Sequence, residues 1–377
     1  MTPIGIVGTG FVADLYLRSL ATFPDLALVA AHDRDASAQA RFCRHWKVAA
    51  ADDLSSLLDR VGPGGIVLNL TNPASHAEVS RACLQAGVHV YSEKPLALTT
   101  TDAADLVALA KTRGLLLASA PCSFLSETAQ TLAAAIRSGV AGRPRLIYAE
   151  LDDDFIAQAP YRRWHSESGA PWPAEDEFRT GCTLEHAGYY LTWLMAVFGP
   201  VHRVVSASAS LGADLLPVPD PAPDFATATL VFGSGVAARL TCSILAPHDH
   251  GLSIIGDRGV LTVAEAWNNA APVTFRRRFT LRRRLVNAPL ARRIRLGTPT
   301  HPKVGRWGAA AMNFALGPKE MAESLAENRP CRLSADFALH LTEVTLAIQA
   351  GQGSVDIASR FDLPAPMPWA GALKGAV

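Results

Sequence analysis

Along the first third of the chain, short apolar runs alternate with stretches in which apolar residues recur every three or four positions. A continuous run of four to eight apolar residues suits a strand covered on both faces, and a 3.6-residue period suits a helix covered on one. On that basis residues 4–7 read as a strand, 11–21 as a helix and 26–31 as a second strand ending at His32-Asp33. Further strands are expected at 65–70, 88–91 and 115–118, with helices at 74–85 and 102–111 between them. Strictly alternating strands and helices imply a doubly wound parallel sheet, a Rossmann-like α/β domain over residues 1–121.

The rhythm changes near Pro121. A helix over 126–138 precedes strands at 146–151 and 201–208, and from 227 to 263 apolar and polar residues alternate, with turns at Gly233-Ser234-Gly235 and Asp257-Arg258-Gly259. Alternation of this kind suits antiparallel strands buried on one face. Residues 122–377 are therefore expected to form an α+β domain on an open, largely antiparallel sheet, completed by helices at 318–327 and 335–350 and an irregular tail at 363–369. Such a sheet with one face uncovered suits a homodimer or homotetramer.

Composition narrows the class. The 377 residues are 49% hydrophobic and 18% charged, and 35 Lys and Arg balance 34 Asp and Glu. Neither a nucleic-acid partner nor a disordered tail is expected from that balance. No apolar stretch approaches the roughly 20 residues of a membrane span, and no secretory leader is apparent after Met1, so a cytoplasmic location is expected. The six cysteines are scattered with no Cys-x-x-Cys pair, which argues for reduced thiols.

Candidate chemistry begins at Gly8-Thr9-Gly10-Phe11-Val12-Ala13, a G-x-G-x-x-A turn directly after a predicted strand and opening a predicted helix. Small residues there let backbone N–H groups approach a pyrophosphate, and Asp33 ends the next strand where a carboxylate accepts bonds from an adenosine ribose. Asp33 favours NAD, whereas Arg34 beside it can pair with a 2′-phosphate and admit NADP. Thr71-Asn72-Pro73, continuing to His76, and Glu93-Lys94-Pro95 follow two later strands, at the ends where open α/β sheets hold ligands.

Together these segments resemble the glucose-fructose oxidoreductase, inositol dehydrogenase and rhizopine-catabolism (Gfo/Idh/MocA) family. The resemblance is strongest over 4–95, clear again at 181–200 and 313–351, and loose across 205–310. It implies an NAD(P)-dependent oxidoreductase moving a hydride between the nicotinamide and a secondary alcohol or ketone of a sugar, cyclitol or sugar derivative. It assigns Lys94 to the reacting hydroxyl, where an ammonium can help move a proton. Glu93 would position Lys94 or touch the nicotinamide ribose, and Asn72, Pro73 and His76 would shape the nicotinamide side. His76 can equally serve the helix start.

In most of the family a helix following a glycine-rich turn carries an aspartate and, four residues on, a histidine. Aligned on Gly188, this chain has His186 and Tyr190 at those positions. A tyrosine at the second position resembles the glucose-fructose oxidoreductase branch, so Tyr190 becomes the second candidate proton carrier, with core packing as its alternative. His186 would orient substrate or shuttle a proton, or be a satisfied polar residue. Two further readings stay open: a glycosidase or lyase that retains its NAD and works through transient sugar oxidation, and a non-catalytic nucleotide-binding regulator.

Three features lie outside the resemblance. The polar and aromatic loop 161–173 can recognise a ligand, with Trp164 and Trp172 stacking on a sugar face and His165 bonding hydroxyls. His248-Asp249-His250 offers adjacent donors without a clear further partner, so no metal is expected. Arg276, Arg277, Arg278, Arg282, Arg283, Arg284, Arg292, Arg293 and Arg295, interleaved with Phe279, Leu281 and Leu285, predict a strand pair with one basic face. That face is either solvated, an oligomer contact, or a steering surface for an anionic substrate.

Overall fold

The computed structural model describes residues 1–374. The first sheet is built from β1 (Thr2–Val7), α1 (Phe11–Leu20), β2 (Leu26–His32), α2 (Ala36–Trp46), α3 (Leu54–Val61), β3 (Ile66–Asn69), α4 (His76–Gln85), β4 (His89–Ser92), α5 (Thr100–Arg113) and β5 (Leu117–Ser119). Its five strands are all parallel, in the order β2-β1-β3-β4-β5. Both faces are covered: Ile4, Ile6, Ile66, Leu68 and Tyr91 enter one core, and Val7, Val67 and Val90 the other. That double burial is why these strands read as continuous apolar runs.

Helix ends follow local chemistry. Asp102 N donates to Thr99 Oγ1 at 3.0 Å, starting α5 two residues before the expected position, and Gly114 at φ 63° closes it. The apolar pattern did not predict α2 or α3. In α2 only Phe42 and Cys43 are buried, which leaves little periodicity to read; it is set by Asp35, which accepts from the N–H groups of Ser37 and Ala38.

After β5 the chain enters a second sheet through α6 (Glu127–Arg137) and β6 (Pro144–Asp152). Then come α7 (Ala174–Thr180), α8 (Gly188–Phe198), β7 (Val201–Ala209), β8 (Phe225–Phe232), β9 (Ala237–Ser243), β10 (Leu252–Gly256), β11 (Gly259–Val263), β12 (Val273–Leu281), β13 (Arg284–Asn287), β14 (Arg292–Ile294), α9 (Leu316–Ala326), α10 (Ala335–Ala350) and β15 (Gly353–Asp356). The sheet has ten strands, nine in the order β13-β12-β11-β10-β6-β9-β8-β7-β15, with β14 pairing β12. Only the β6–β9 pair is parallel. Along β8 the alternation is clean: Ala226, Ala228, Leu230 and Phe232 are buried, whereas Val231 is exposed.

Helix α10 packs on β7 and also on α5 and β5, so it clamps the two sheets together. Ala338 enters the core beside α5, and Lys111 Nζ donates to Asp336 Oδ1 at 2.7 Å on the surface. The arginine-rich segment does form a strand pair, with Arg282 at φ 54° in its turn and Leu281 and Leu285 exposed beside the guanidinium groups. Among the described residues no helix is long and apolar enough to cross a membrane.

Candidate active site

Strand order in the first sheet reverses at β1 and β3, and the loops leaving the C-terminal ends of those strands part there, opening the crevice expected at a topological switch point. It continues into a cleft of about 1180 Å³ walled on its far side by residues of the second sheet and its helices. Gly8 sits at φ 93°, and a Cβ on it would lie 2.5 Å from Leu70 O, so the turn needs glycine for close approach to β3. Gly10 differs: a Cβ there meets nothing within 4 Å, because the residue lines the open cleft.

No side chain caps α1, so its first N–H groups stay available to an anion. Thr9 donates to Asp33 Oδ2 from both N (2.7 Å) and Oγ1 (2.9 Å), which fixes Asp33 at the cleft wall beside Arg34. Phe11 and Val12 also line the cleft, whereas Ala13 is buried beneath the turn. On the opposite side Asn72 Oδ1 is buried without a partner. An open glycine turn, an uncapped helix start, an anchored carboxylate and an orphan acceptor fit a dinucleotide.

The next two loops are tied together. Asn69, at the end of β3, donates to His76 O and Ser80 Oγ at 2.9 Å and accepts from Thr71 Oγ1 at 2.7 Å. The His76 ring lies between Pro95 O (2.7 Å) and Thr71 O (2.9 Å) and is fully buried. Burial lowers its pKa against the pull of those carbonyls, and the ring sits between the Thr71-Asn72-Pro73 loop and the Lys94-Pro95 loop. Glu93 accepts from Tyr16 Oη at 2.7 Å and from Lys94 N at 3.0 Å, which holds the base of the lysine.

From there the Lys94 ammonium reaches across the cleft to Glu185 Oε2. Burial opposes charge on Lys94, but Glu185 and then Glu177 outweigh it and hold its pKa well above the ordinary value. Glu177 lines the cleft next to them, and burial first and the Glu185 charge second push its carboxyl well up.

Residues Thr183–Ala187 form one π-helical turn before α8. Tyr189 lines the cleft, and Tyr190, the expected proton carrier, does not. The Tyr190 ring is wholly buried against Trp193, its hydroxyl donates to His250 O, and burial raises its pKa strongly. Tyr190 is a packing residue. His186 does line the cleft, with Nε2 3.0 Å from Asp153 Oδ2 and Nδ1 buried without a partner.

In the loop that precedes α7, Trp164 and Trp172 reach the cleft as expected and stack edge-on at 5.3 Å. His165 does not: it is exposed, 3.1 Å from Arg163 O. The loop is clasped to α1 by Arg18 on Glu167 and by Ser168 N donating to Asp14 Oδ2 at 2.7 Å. None of the nine clustered arginines lines the cleft.

Sequence reasoning gave no role to Glu185, Glu177, Asp153, Glu265 or Trp267. Asp153 lies just past β6 and meets His186, from the turn before α8, and His248 and His250, from the segment between β9 and β10, all remote in sequence. Nothing local marks it, because Asp152-Asp153-Asp154 reads as a polar strand end.

This fold and cleft define an oxidoreductase with an NAD-binding Rossmann domain. Residues 2–120 match the model of the Gfo/Idh/MocA oxidoreductase family's NAD-binding Rossmann fold, and 129–262 match the family's C-terminal domain; the chain belongs to that family. It is 34% identical over 149 residues to a dTDP-3,4-didehydro-2,6-dideoxy-alpha-D-glucose 3-reductase of Streptomyces antibioticus, covering 38% of this chain and 44% of that protein. To trans-1,2-dihydrobenzene-1,2-diol dehydrogenase of Bos taurus it is 24% identical over 262 residues, covering 68% of this chain and 72% of the other. A levoglucosan dehydrogenase in complex with NADH shares the fold at a TM-score of 0.73 and 17% identity, over 95% of this chain and 99% of that one.

Proposed function

We propose that this protein oxidises a secondary alcohol, or reduces the corresponding ketone, of a sugar-like polyol, using NAD in preference to NADP. When bound, the nicotinamide cofactor supplies the hydride acceptor or donor. The Gly8–Ala13 turn and the α1 N-terminus would hold its pyrophosphate, Asp33 its adenosine ribose, and Asn72 its nicotinamide side. Lys94 binds the reacting substrate oxygen and holds or delivers its proton, Glu185 keeps the ammonium in place, and Tyr189 and His186 orient the neighbouring hydroxyls. Trp164 and Trp172 offer apolar faces to the ring.

One observation carries this reading: a lysine ammonium, charged and anchored by a carboxylate, stands in the cleft that the glycine turn also lines. The relatives named as a sugar 3-reductase and a diol dehydrogenase support a polyol or ketosugar substrate. Exposed Tyr148, Val205 and Val231 on the uncovered face of the second sheet support a homodimer formed through that face.

The test is to identify any co-purifying nucleotide and follow reduced-nicotinamide absorbance while screening sugars, uronic acids, cyclitols and nucleotide sugars. Stoichiometric reduction of NAD by one substrate supports the proposal. Sugar release without net change in the nucleotide would replace it with the retained-cofactor glycosidase or lyase, and tight nucleotide binding without any turnover would replace it with the regulatory reading.

A further inference from the structure

His248 and His250 lie on the segment between β9 and β10, and Asp153 follows the end of β6 directly across from them. One donor atom from each of the three lies within 4.8 Å of the others. Asp153 Oδ1 is 3.5 Å from His250 Nε2 and 3.9 Å from His248 Nδ1. Two bonds of about 2.1 Å meeting at a tetrahedral angle separate their donor atoms by about 3.4 Å. The three residues are therefore spaced close to the edge of a small coordination polyhedron.

The other ring nitrogens explain the orientation. Glu265 takes both: Oε1 is 2.8 Å from His250 Nδ1 and Oε2 is 3.0 Å from His248 Nε2. A carboxylate that binds the far nitrogen fixes the tautomer and aims the near one, which is how metal-binding histidines are held. Trp267 N donates to Glu265 Oε1 at 2.9 Å, and the Trp267 ring meets His250 edge-on at 4.6 Å, so the pair is locked in place. His250 has a wholly buried side chain, yet its Nε2 makes no hydrogen bond and faces Asp153. An unpartnered buried donor atom needs a partner.

We infer that Asp153, His248 and His250 form a site for a divalent first-row transition ion of the zinc class, open to the cleft. His248, Asp153 and Trp267 all line that cleft, so a fourth position faces the space in which the substrate would lie. Three protein ligands and one open position make a site that binds a substrate oxygen or water. The ion would anchor a hydroxyl adjacent to the one that Lys94 binds, a role that rests on the oxidoreductase reading above. Occupancy of the site does not. The middle residue, Asp249, turns its side chain to Gly251 N at 2.8 Å, and Asp153 supplies the donor that the His-Asp-His spacing lacks.

The competing arrangement is a protonated His250 shared between Asp153 and Glu265 with no ion. The two are separated by titrating the full-length protein, stripped with chelator and free of substrate and nucleotide, with Zn²⁺ and in parallel with Mn²⁺ and Co²⁺. We expect one equivalent bound, with a Co²⁺ absorption spectrum of mixed nitrogen and oxygen coordination. His248→Ala, at a partly exposed position that tolerates truncation, should weaken binding at least tenfold, and Glu265→Gln by 10- to 100-fold. Circular dichroism confirms that each variant is folded. No stoichiometric binding to the wild-type protein, or binding unchanged in His248→Ala, overturns the inference, and neither result bears on turnover.

Discussion

The ammonium of Lys94 rests on the carboxylate of Glu185, joining residues 91 positions apart that stand on opposite walls of the cleft. Lys94 comes from the loop after β4, and Glu185 from the π turn before α8. A positioning role for Glu185 has a readable signature. Glu185→Gln keeps a hydrogen-bond acceptor and removes the charge that sustains the ammonium, so kcat should fall about 10- to 100-fold with KM changed far less. The basic limb of the pH–rate profile should also move to lower pH, as Lys94 loses the first of the charges that raise its pKa. A purely structural Glu185 would leave that limb in place.

The two tyrosines are expected to separate cleanly. Tyr189→Phe removes a hydroxyl from a cleft residue and should lower kcat/KM while leaving the melting temperature within a few degrees. Tyr190→Phe leaves the buried His250 carbonyl without its donor, which costs about 1–3 kcal/mol of stability. Its activity measured below the melting transition should stay near wild type. Paired thermal melts and initial rates check both, and the opposite pattern would restore Tyr190 to the chemistry.

Gly8 and Gly10 should also part company. Gly8→Ala places a Cβ against Leu70 O at a positive φ, so the fold itself should suffer, with loss of about 1 kcal/mol or more. A Cβ at position 10 meets no protein atom within 4 Å, so Gly10→Val should fold normally, yet lose nucleotide binding because its side chain fills the cradle. Calorimetric unfolding with and without NAD distinguishes the two.

Why some of this was legible in the sequence and some was not has a physical basis. The parallel sheet showed itself because Ile4, Ile6, Val67 and Leu68 are buried on both faces, and the dinucleotide turn because glycine spacing and Asp33 act over short distances in the chain. Lys94 was legible by resemblance. The His186–Tyr190 pairing assumed that both side chains face the cleft, whereas the Tyr190 hydroxyl is taken by the carbonyl of His250, sixty residues on, and Tyr189 lines the cleft. Asp153, Glu177 and Glu265 acquire meaning only when β6, α7 and β11 bring them together, which no local pattern encodes. The basic strand pair was legible as structure, but its distance from the cleft was not.

Acid stability should report on His340. Its ring is buried, with Nε2 accepting from Val201 N at 2.9 Å and Nδ1 3.0 Å from Ser359 O. Burial depresses its pKa from 6.5 to about 4. The folded state therefore refuses a proton that the unfolded state accepts. The stability contributed is present above pH 6.5 and is lost as pH falls from 6.5 to about 4, by about 3 kcal/mol in the limit. His301, depressed to about 4 by burial, adds in the same direction. Denaturant unfolding between pH 7 and 4 should show the slope, and His340→Gln should flatten it; an unchanged slope would assign the acid loss elsewhere.

The proposed preference for NAD rests on Asp33 and Arg34. Asp33→Ala removes the carboxylate anchored by Thr9 and leaves Arg34 free to pair with a 2′-phosphate, so NADP should gain on NAD by at least tenfold in Kd ratio. A ratio that does not move would show that the ribose lies elsewhere.

The central claim is that Lys94 acts on the substrate rather than holding the nucleotide or the fold. The direct test is to measure, for wild type and Lys94→Met, the dissociation constant of NAD and the turnover rate with whichever polyol supports reduction. The account predicts NAD affinity within about threefold of wild type and turnover lower by 10²- to 10⁴-fold. Turnover retained at the wild-type rate, or lost only in proportion to lost NAD binding, would contradict it.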